Sequence, residues 1–277
     1  ISHRKGWCEG DDIVAFQGKR YGWKVSLVQR LQRAWWRWAK QIITCSDFLR
    51  GVLVNTYGVD QSKVQTIFNA YHGPDPVTLT ETKEEARQAL GLRADKRYLL
   101  TICRLMVWKQ VDRIITSLSE LPEDVELLIC GDGPELEPWK ELARSLGLEQ
   151  RVHFRGNVPH ELVPSYIRAA DIFVLYSRYE GLSHTLIEVQ TLGTTAVASA
   201  VCGNPEVVSD GETGRLVGVD DSAGLTTALS GLLESEVQRS AFGAAGVAAS
   251  ARFGRSETFA EVEKVLLRAS RGAEGAP

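Results

Sequence analysis

From residue 83 onward, short apolar runs alternate with stretches whose apolar residues recur every three or four positions. The runs are 98–103, 125–130, 152–154, 172–175, 196–199 and 215–217. They are rich in Val, Ile and Leu and show little polar alternation, which predicts strands covered on both faces, as in a parallel sheet. The periodic stretches predict helices at 83–90, 110–119, 135–146, 160–169, 183–192, 221–234 and 236–249, with a short one beginning near Pro205. Gly91 and Gly193 follow two of these helices, where a left-handed residue closes the last turn. Strands alternating with helices in this way predict an α/β fold with a doubly wound parallel sheet. Ligands of such sheets bind beyond the carboxyl ends of the strands. That singles out the loops 104–110, 131–134, 155–159, 176–184 and 200–206.

The first 82 residues read differently. Residues 1–22 have little apolar periodicity and many turn formers (Gly6, Gly10, Gly18, Gly22), and predict irregular chain. Residues 24–40 predict a helix with Val28, Leu31, Trp35 and Trp38 on one face and most basic residues elsewhere. Two readings stand: a helix that packs its Trp residues onto its own domain, or one that lies on a membrane surface. A short strand at 41–45, a helix at 47–57 opened by Ser46 or Asp47 and ended by Gly58, and a strand at 63–68 follow. The turn-rich stretch 69–76 reads as an interdomain linker. Near the end, a helix at about 256–268 carries Phe259, Val262, Val265 and Leu266 on one face and is placed to lie back across residues 24–60; a disordered tail follows. The predicted division is 1–68, 69–252 and 253–277.

Charge sharpens this division. The formal net charge is −3, but residues 1–70 carry 11 Lys and Arg against 5 Asp and Glu, whereas the rest is acidic. A basic segment beside an acidic globule implies that the two parts face different partners. The five cysteines (8, 45, 103, 130, 202) are scattered and lack a C-x-x-C pair, which fits buried thiols in a reducing compartment. The five histidines (3, 72, 153, 160, 184) have no metal-ligand spacing. No signal peptide and no apolar run near the ~18 residues of a membrane helix is seen, so the expected location is cytoplasmic. With Ile1 at the start and its one Met at position 106, the chain reads as trimmed or as a fragment.

The chemistry concentrates at 176–188. Glu180 sits on the loop after the run 172–175, small and polar residues lead into a helix start, and Glu188 lies about a turn further on. A helix start offers unpaired N–H donors and the positive end of a dipole, which suits phosphate. Carboxylates beside it suit sugar hydroxyls. Arg104 follows the strand ending at Cys103, and Lys109 precedes the next helix, so two cations share a sheet end with that loop, as a pyrophosphate requires. Gly131-Asp132-Gly133 lacks the third Gly of a dinucleotide fingerprint, since position 136 is Leu, and reads as a tight strand-to-helix turn.

These pieces, in order, match a known pattern. Ile102-Cys103-Arg104 with Lys109, Leu128-Ile129-Cys130-Gly131-Asp132-Gly133-Pro134-Glu135, 152–156, 170–174, the pair Glu180 and Glu188, 203–206 and 210–214 together resemble the donor-binding half of the family 4 retaining glycosyltransferases, which have the GT-B fold. Residues 24–68 resemble the end of that family's N-terminal, acceptor-binding domain, most of which is expected to be missing here. The resemblance implies a retaining, metal-independent hexosyltransferase that takes a nucleotide-diphosphate sugar and uses no cofactor. It implies that Glu180 meets donor-sugar hydroxyls and that backbone N–H groups of Gly181, Leu182, Ser183, His184 and Thr185 hold sugar and diphosphate. The amides of Thr185 and Leu186 are expected to face the phosphates. Arg104 and Lys109 are expected to neutralise the diphosphate, Glu188 to accept from both ribose hydroxyls, and the base to lie near Arg155 to Val158. The acceptor is expected to be a glycan or a lipid-linked hydroxyl in glycolipid or cell-surface polysaccharide synthesis. If the 24–40 helix lies on a membrane, the second of its two readings, the contact is peripheral and at the inner face of the cell membrane; no nucleic acid is expected as a partner. The alternatives are a catalytically degenerate nucleotide-sugar-binding module and a GT-B sugar-nucleotide epimerase. The chain departs from the family where Gly is common (Cys103, Gln110, Ala70, Cys202) and where Pro is usual (Tyr176, Thr195).

Overall fold

The computed structural model describes residues 23–271 of the 277-residue chain. The readings of residues 1–22 as irregular chain, of Cys8 and of a disordered tail after residue 271 lie outside it. The chain forms two compact units, Ile1–Ala70 with Phe253–Pro277, and Tyr71–Arg252.

The larger unit holds six parallel strands: β3 (Arg97–Ile102), β4 (Val125–Cys130), β5 (Val152–Gly156), β6 (Ile172–Leu175), β7 (Ala196–Ser199) and β8 (Gly214–Val217). Their order across the sheet is β5-β4-β3-β6-β7-β8. All residues of β4, β6 and β7 are buried, which is why those runs carry no polar alternation. The pleat sorts their side chains between two helical layers. Leu99, Leu127, Ile129, Ile172, Val174 and Val197 share one core with α4 (Val111–Leu118), α5 (Leu136–Ser145) and α8 (Ser222–Glu234). In α4 the buried residues Val111, Ile114, Ile115 and Leu118 fall at i, i+3, i+4 and i+7, the spacing of a single stripe, and each buries side chain worth about 1.5–3 kcal/mol. Helices α3 (Lys83–Ala89), α6 (Val163–Ala169), α7 (His184–Thr191) and α9 (Glu236–Ser250) complete the unit, α3 against α6 and α7 against α9.

A buried carboxylate locks the amino end of the sheet. Asp171, just before β6, accepts from Lys83 Nζ at 2.5 Å, Arg87 Nη2 at 2.8 Å and the Tyr98 amide at 2.6 Å. It joins α3 to β3 and β6 at the end of the sheet opposite the loops singled out above, so this residue of the 170–174 stretch is structural.

The smaller unit contains α1 (Trp23–Trp38), β1 (Ile42–Thr44), α2 (Asp47–Gly51), β2 (Val64–Thr66) and α10 (Arg255–Arg271). Strands β1 and β2 pair in parallel. Ser46 caps α2, its side chain accepting from the Leu49 amide. The helix expected through residue 57 ends early, because Val52–Thr56 is wound as one π-helical turn. α1 also differs from expectation. Leu31, Trp35 and Trp38 are exposed, Trp38 at 84%, while Trp36 packs edge-on against Tyr57 with Arg33 over the same ring. The shared face exists, but the helix docks through its neighbouring side. α10 likewise buries Val265 but leaves Phe259 and Leu266 exposed. Phe253 is buried against Phe68, and Lys40 Nζ donates to the Ala269 carbonyl at 3.5 Å. No helix of the described residues is long and apolar enough to cross a membrane.

Candidate functional site

The strand order reverses between β3 and β6. Connections leave these neighbours in opposite directions, so their carboxyl ends flank the crevice of the doubly wound sheet. Arg104 follows β3, and a 3-10 turn, Val107–Lys109, leads into α4. The loop carrying Glu180 follows β6 and ends at Ser183, the N-cap of α7.

Backbone contacts hold these loops together. The Arg178 amide donates to the Trp108 carbonyl at 2.8 Å, tying the loop after β6 to the loop after β3. The Gly203 amide donates to the Glu180 carbonyl at 3.1 Å. Ser199 Oγ donates to the Ser177 carbonyl at 2.6 Å, and the fully buried Asn204 donates to the Ser199 carbonyl at 3.0 Å. Tyr176, buried, donates its hydroxyl to the Gly218 carbonyl at 2.7 Å. Gly131 and Gly133 let the loop after β4 meet the loop after β3: a Cβ there would lie 1.9 Å from the Cys103 carbonyl oxygen and 2.2 Å from that of Leu105. The Gly131-Asp132-Gly133 stretch is therefore the close turn that its missing third Gly implied.

Glu180 and Lys109 form an ion pair with side chains 13% and 17% exposed. Ser177 Oγ also donates to Glu180 Oε1, at 2.9 Å. Arg104 is exposed and makes no ion pair among the described residues. At the start of α7 the amides of Gly181, Leu182, Ser183 and Thr185 have no acceptor among the described residues. The Leu186 amide was expected to face phosphate, but it donates to Ser183 Oγ at 3.2 Å. The N-cap side chain has taken that donor, as N-cap residues do. The Leu186 side chain is buried in the core.

Glu188 lies one turn further along α7 and is buried. Its Oε1 stands 3.5 Å from His160 Nε2, on the loop after β5. Burial raises the Glu188 carboxyl above its ordinary value, and the facing His160 opposes that rise. The charged form thus costs the fold stability as pH rises through the raised titration range; the cost is absent below the ordinary carboxylate range. His184, at the start of α7, has its ring 5.2 Å from that of His72.

The residues expected at the site are thus gathered at one sheet end. The contacts of Ser177 with Glu180 and of His160 with Glu188 were not expected. Ser177 carries a signal in hindsight, three residues before Glu180 on the same loop; His160 carries none beyond its place after a strand. At Cys103, also at this end, burial pushes the thiol up to about 11, despite Lys109 nearby, and burial pushes Cys130 up to about 12. None of the four described cysteines is in a disulfide. Two residues standing where the resemblance leads one to expect Gly, Gln110 and Cys202, adopt φ of 47° and 52°, the left-handed region that Gly occupies without cost. No group of three His, Cys, Asp or Glu among the described residues is arranged to hold a metal ion.

Comparison with known proteins is consistent with this geometry. The family model described as glycosyl transferases group 1 matches residues 82–248. The D-inositol 3-phosphate glycosyltransferase 2 of Catenulispora acidiphila is 33% identical over 247 residues, covering 83% of this chain and 56% of its own. The GDP-mannose-dependent alpha-(1-6)-phosphatidylinositol monomannoside mannosyltransferase of Mycolicibacterium smegmatis is 33% identical over 183 residues, 62% of this chain and 47% of its own. The chain spans about half the length of the curated relatives it matches. Among solved structures, sucrose-phosphate synthase from Thermosynechococcus elongatus superposes with a TM-score of 0.80 at 25% identity, covering 94% of this chain and 65% of its own. HepE from Anabaena, crystallised with UDP, gives 0.77 at 24%, covering 84% and 65%.

Proposed function

We propose that this chain, which belongs to the group 1 glycosyl transferases, binds a nucleotide-diphosphate sugar at the carboxyl end of its six-stranded sheet and serves in its transfer to an acceptor hydroxyl. One observation carries the reading: the Lys109–Glu180 pair, Arg104 and the open amides at the start of α7 lie around the crevice between β3 and β6. That set matches a sugar diphosphate. In transfer with retention, the anomeric C–O bond to the diphosphate breaks as the acceptor oxygen bonds to the same carbon on the same face. The acceptor proton passes to the departing phosphate oxygen. Arg104 and Lys109 stabilise the charge that builds on the leaving group, with the amides of Gly181 to Thr185 adding fixed dipoles. Glu180 accepts from sugar hydroxyls and Glu188 from the ribose. No step draws on a metal or cofactor. The nucleotide relatives support the donor class: one relative is named for GDP-mannose, and HepE was crystallised with UDP.

The test is thermal. Millimolar UDP or GDP is expected to raise the melting temperature of the chain, and Glu188→Ala to remove the shift; a wild-type protein that neither nucleotide protects sinks the reading.

We infer further that the acceptor is a glycolipid or cell-surface glycan at a membrane. The relative named for phosphatidylinositol monomannoside and the exposed Leu31, Trp35 and Trp38 beside Arg30, Arg33 and Arg37 support this. Flotation with anionic vesicles is expected to carry the protein up, and Trp35→Ala with Trp38→Ala to abolish it. Equal flotation of the double variant would separate the helix from any membrane role.

A further inference from the structure

The Glu188 side chain has one polar partner among the described residues, and it comes from another crossover of the sheet. β5 ends at Gly156, Pro159 opens a 3-10 turn, His160–Leu162, and that turn brings the His160 imidazole within 3.5 Å of Glu188 Oε1. The Glu188 side chain is 11% exposed and His160 is 59% exposed. A pair with one partner this open adds little to stability. A buried carboxylate with a single partner still has most of its roughly four acceptor positions unused, and leaving such a group unpaired is costly. The arrangement suits a carboxylate kept for a ligand and steered from one side.

We propose that His160 is a positioning residue: it holds one side of the Glu188 carboxylate so that its remaining lone pairs point at the two ribose hydroxyls of the bound nucleotide. This rests on the nucleotide-sugar reading above. It also gives the loop after β5 a second task, since that loop borders the expected place of the base. His160 touches neither sugar nor phosphate in this scheme; it acts through Glu188.

The test separates ribose recognition from everything else in the nucleotide. Affinities of the full-length chain for UDP and GDP are measured beside those for their 2′,3′-dideoxy counterparts by calorimetry. The wild type is expected to prefer the ribose form by at least about tenfold, and Glu188→Ala to lose the preference. His160→Ala is expected to cut the preference about threefold to tenfold, the size of one hydrogen bond, with dideoxy affinity unchanged. His160→Gln, which keeps a donor, is expected to restore most of it. A His160→Ala preference equal to wild type overturns the proposal, as does an equal loss for both nucleotide forms, which would place His160 on the base or the scaffold. A wild type that binds neither nucleotide overturns the parent reading and this inference with it; one that binds both forms equally overturns this inference alone and leaves the nucleotide reading standing.

Discussion

Glu180→Gln in the full-length protein is expected to lower kcat by about 10²- to 10³-fold, the loss seen when one preorganised electrostatic group at a reacting centre is removed. The affinity for nucleoside diphosphate is expected to hold or rise. Both signs follow from the Lys109–Glu180 pair. Gln has nearly the shape of Glu and keeps an acceptor for Ser177 Oγ, now 2.9 Å from Glu180 Oε1, so the loop is retained. On the proposed reading, what is lost is a charged acceptor for the donor-sugar hydroxyls while the sugar becomes oxocarbenium-like in the transition state. What is gained is an ammonium released from its counter-ion: Lys109, 17% exposed, no longer divides its charge between Glu180 and a diphosphate. Initial rates with the native donor, read beside calorimetric titration of the nucleoside diphosphate, check the pair of signs. Unchanged kcat, or a matched loss in rate and nucleotide affinity, would show that Glu180 serves the ground state or the loop alone.

The elements that were legible are the ones whose physics is local. β4, β6 and β7 read correctly because burial on both faces leaves uninterrupted apolar runs. Val52–Thr56 did not, since over a single turn an apolar cluster such as Val52, Leu53 and Val54 looks the same in a π-wound or an α-wound helix. Periodicity named Leu31, Trp35 and Trp38 as neighbours on α1, but periodicity says which residues share a face and nothing about what covers it. In the site, Arg104 and Lys109 were visible because they share the loop after β3, and Glu180 because it lies on the loop after β6. His160 and Glu188 were not visible as a pair, because they lie on two crossovers and only the sheet order brings them together. Gln110 and Cys202 show why departures from a motif mislead: the backbone keeps the left-handed shape of the Gly while accepting a side chain, at a cost of about 1–2 kcal/mol each. Tyr176 replaces an expected Pro with a different restraint, a hydroxyl anchored on the Gly218 carbonyl.

Gly203→Ala is expected to cost about 10²-fold in kcat although Gly203 itself has no assigned contact with substrate, the penalty for shifting a reacting group by about 1 Å. A Cβ at position 203 would lie 2.2 Å from the Gly181 carbonyl oxygen and 3.2 Å from the Leu182 Cα. Both are backbone, so no side-chain rotation relieves the clash. The neighbour that must yield is the segment between Glu180 and the start of α7. On the other side, the turn after β7 is held by Asn204, fully buried and bonded to Ser199, which in turn bonds the Ser177 carbonyl. The collision therefore falls on the Glu180 loop and stretches the bond from the Gly203 amide to the Glu180 carbonyl, now 3.1 Å. Gly231→Ala is the control: it sits within α8 with nothing inside 4 Å of an added Cβ, and is expected to keep full activity and add about 0.5–1 kcal/mol of stability. Kinetics of both variants, with circular dichroism to show that each folds, decide the matter. If Gly203→Ala transfers sugar at the wild-type rate, the loop is not preorganised by this contact, and Glu180 must be positioned by Lys109 and Ser177 alone.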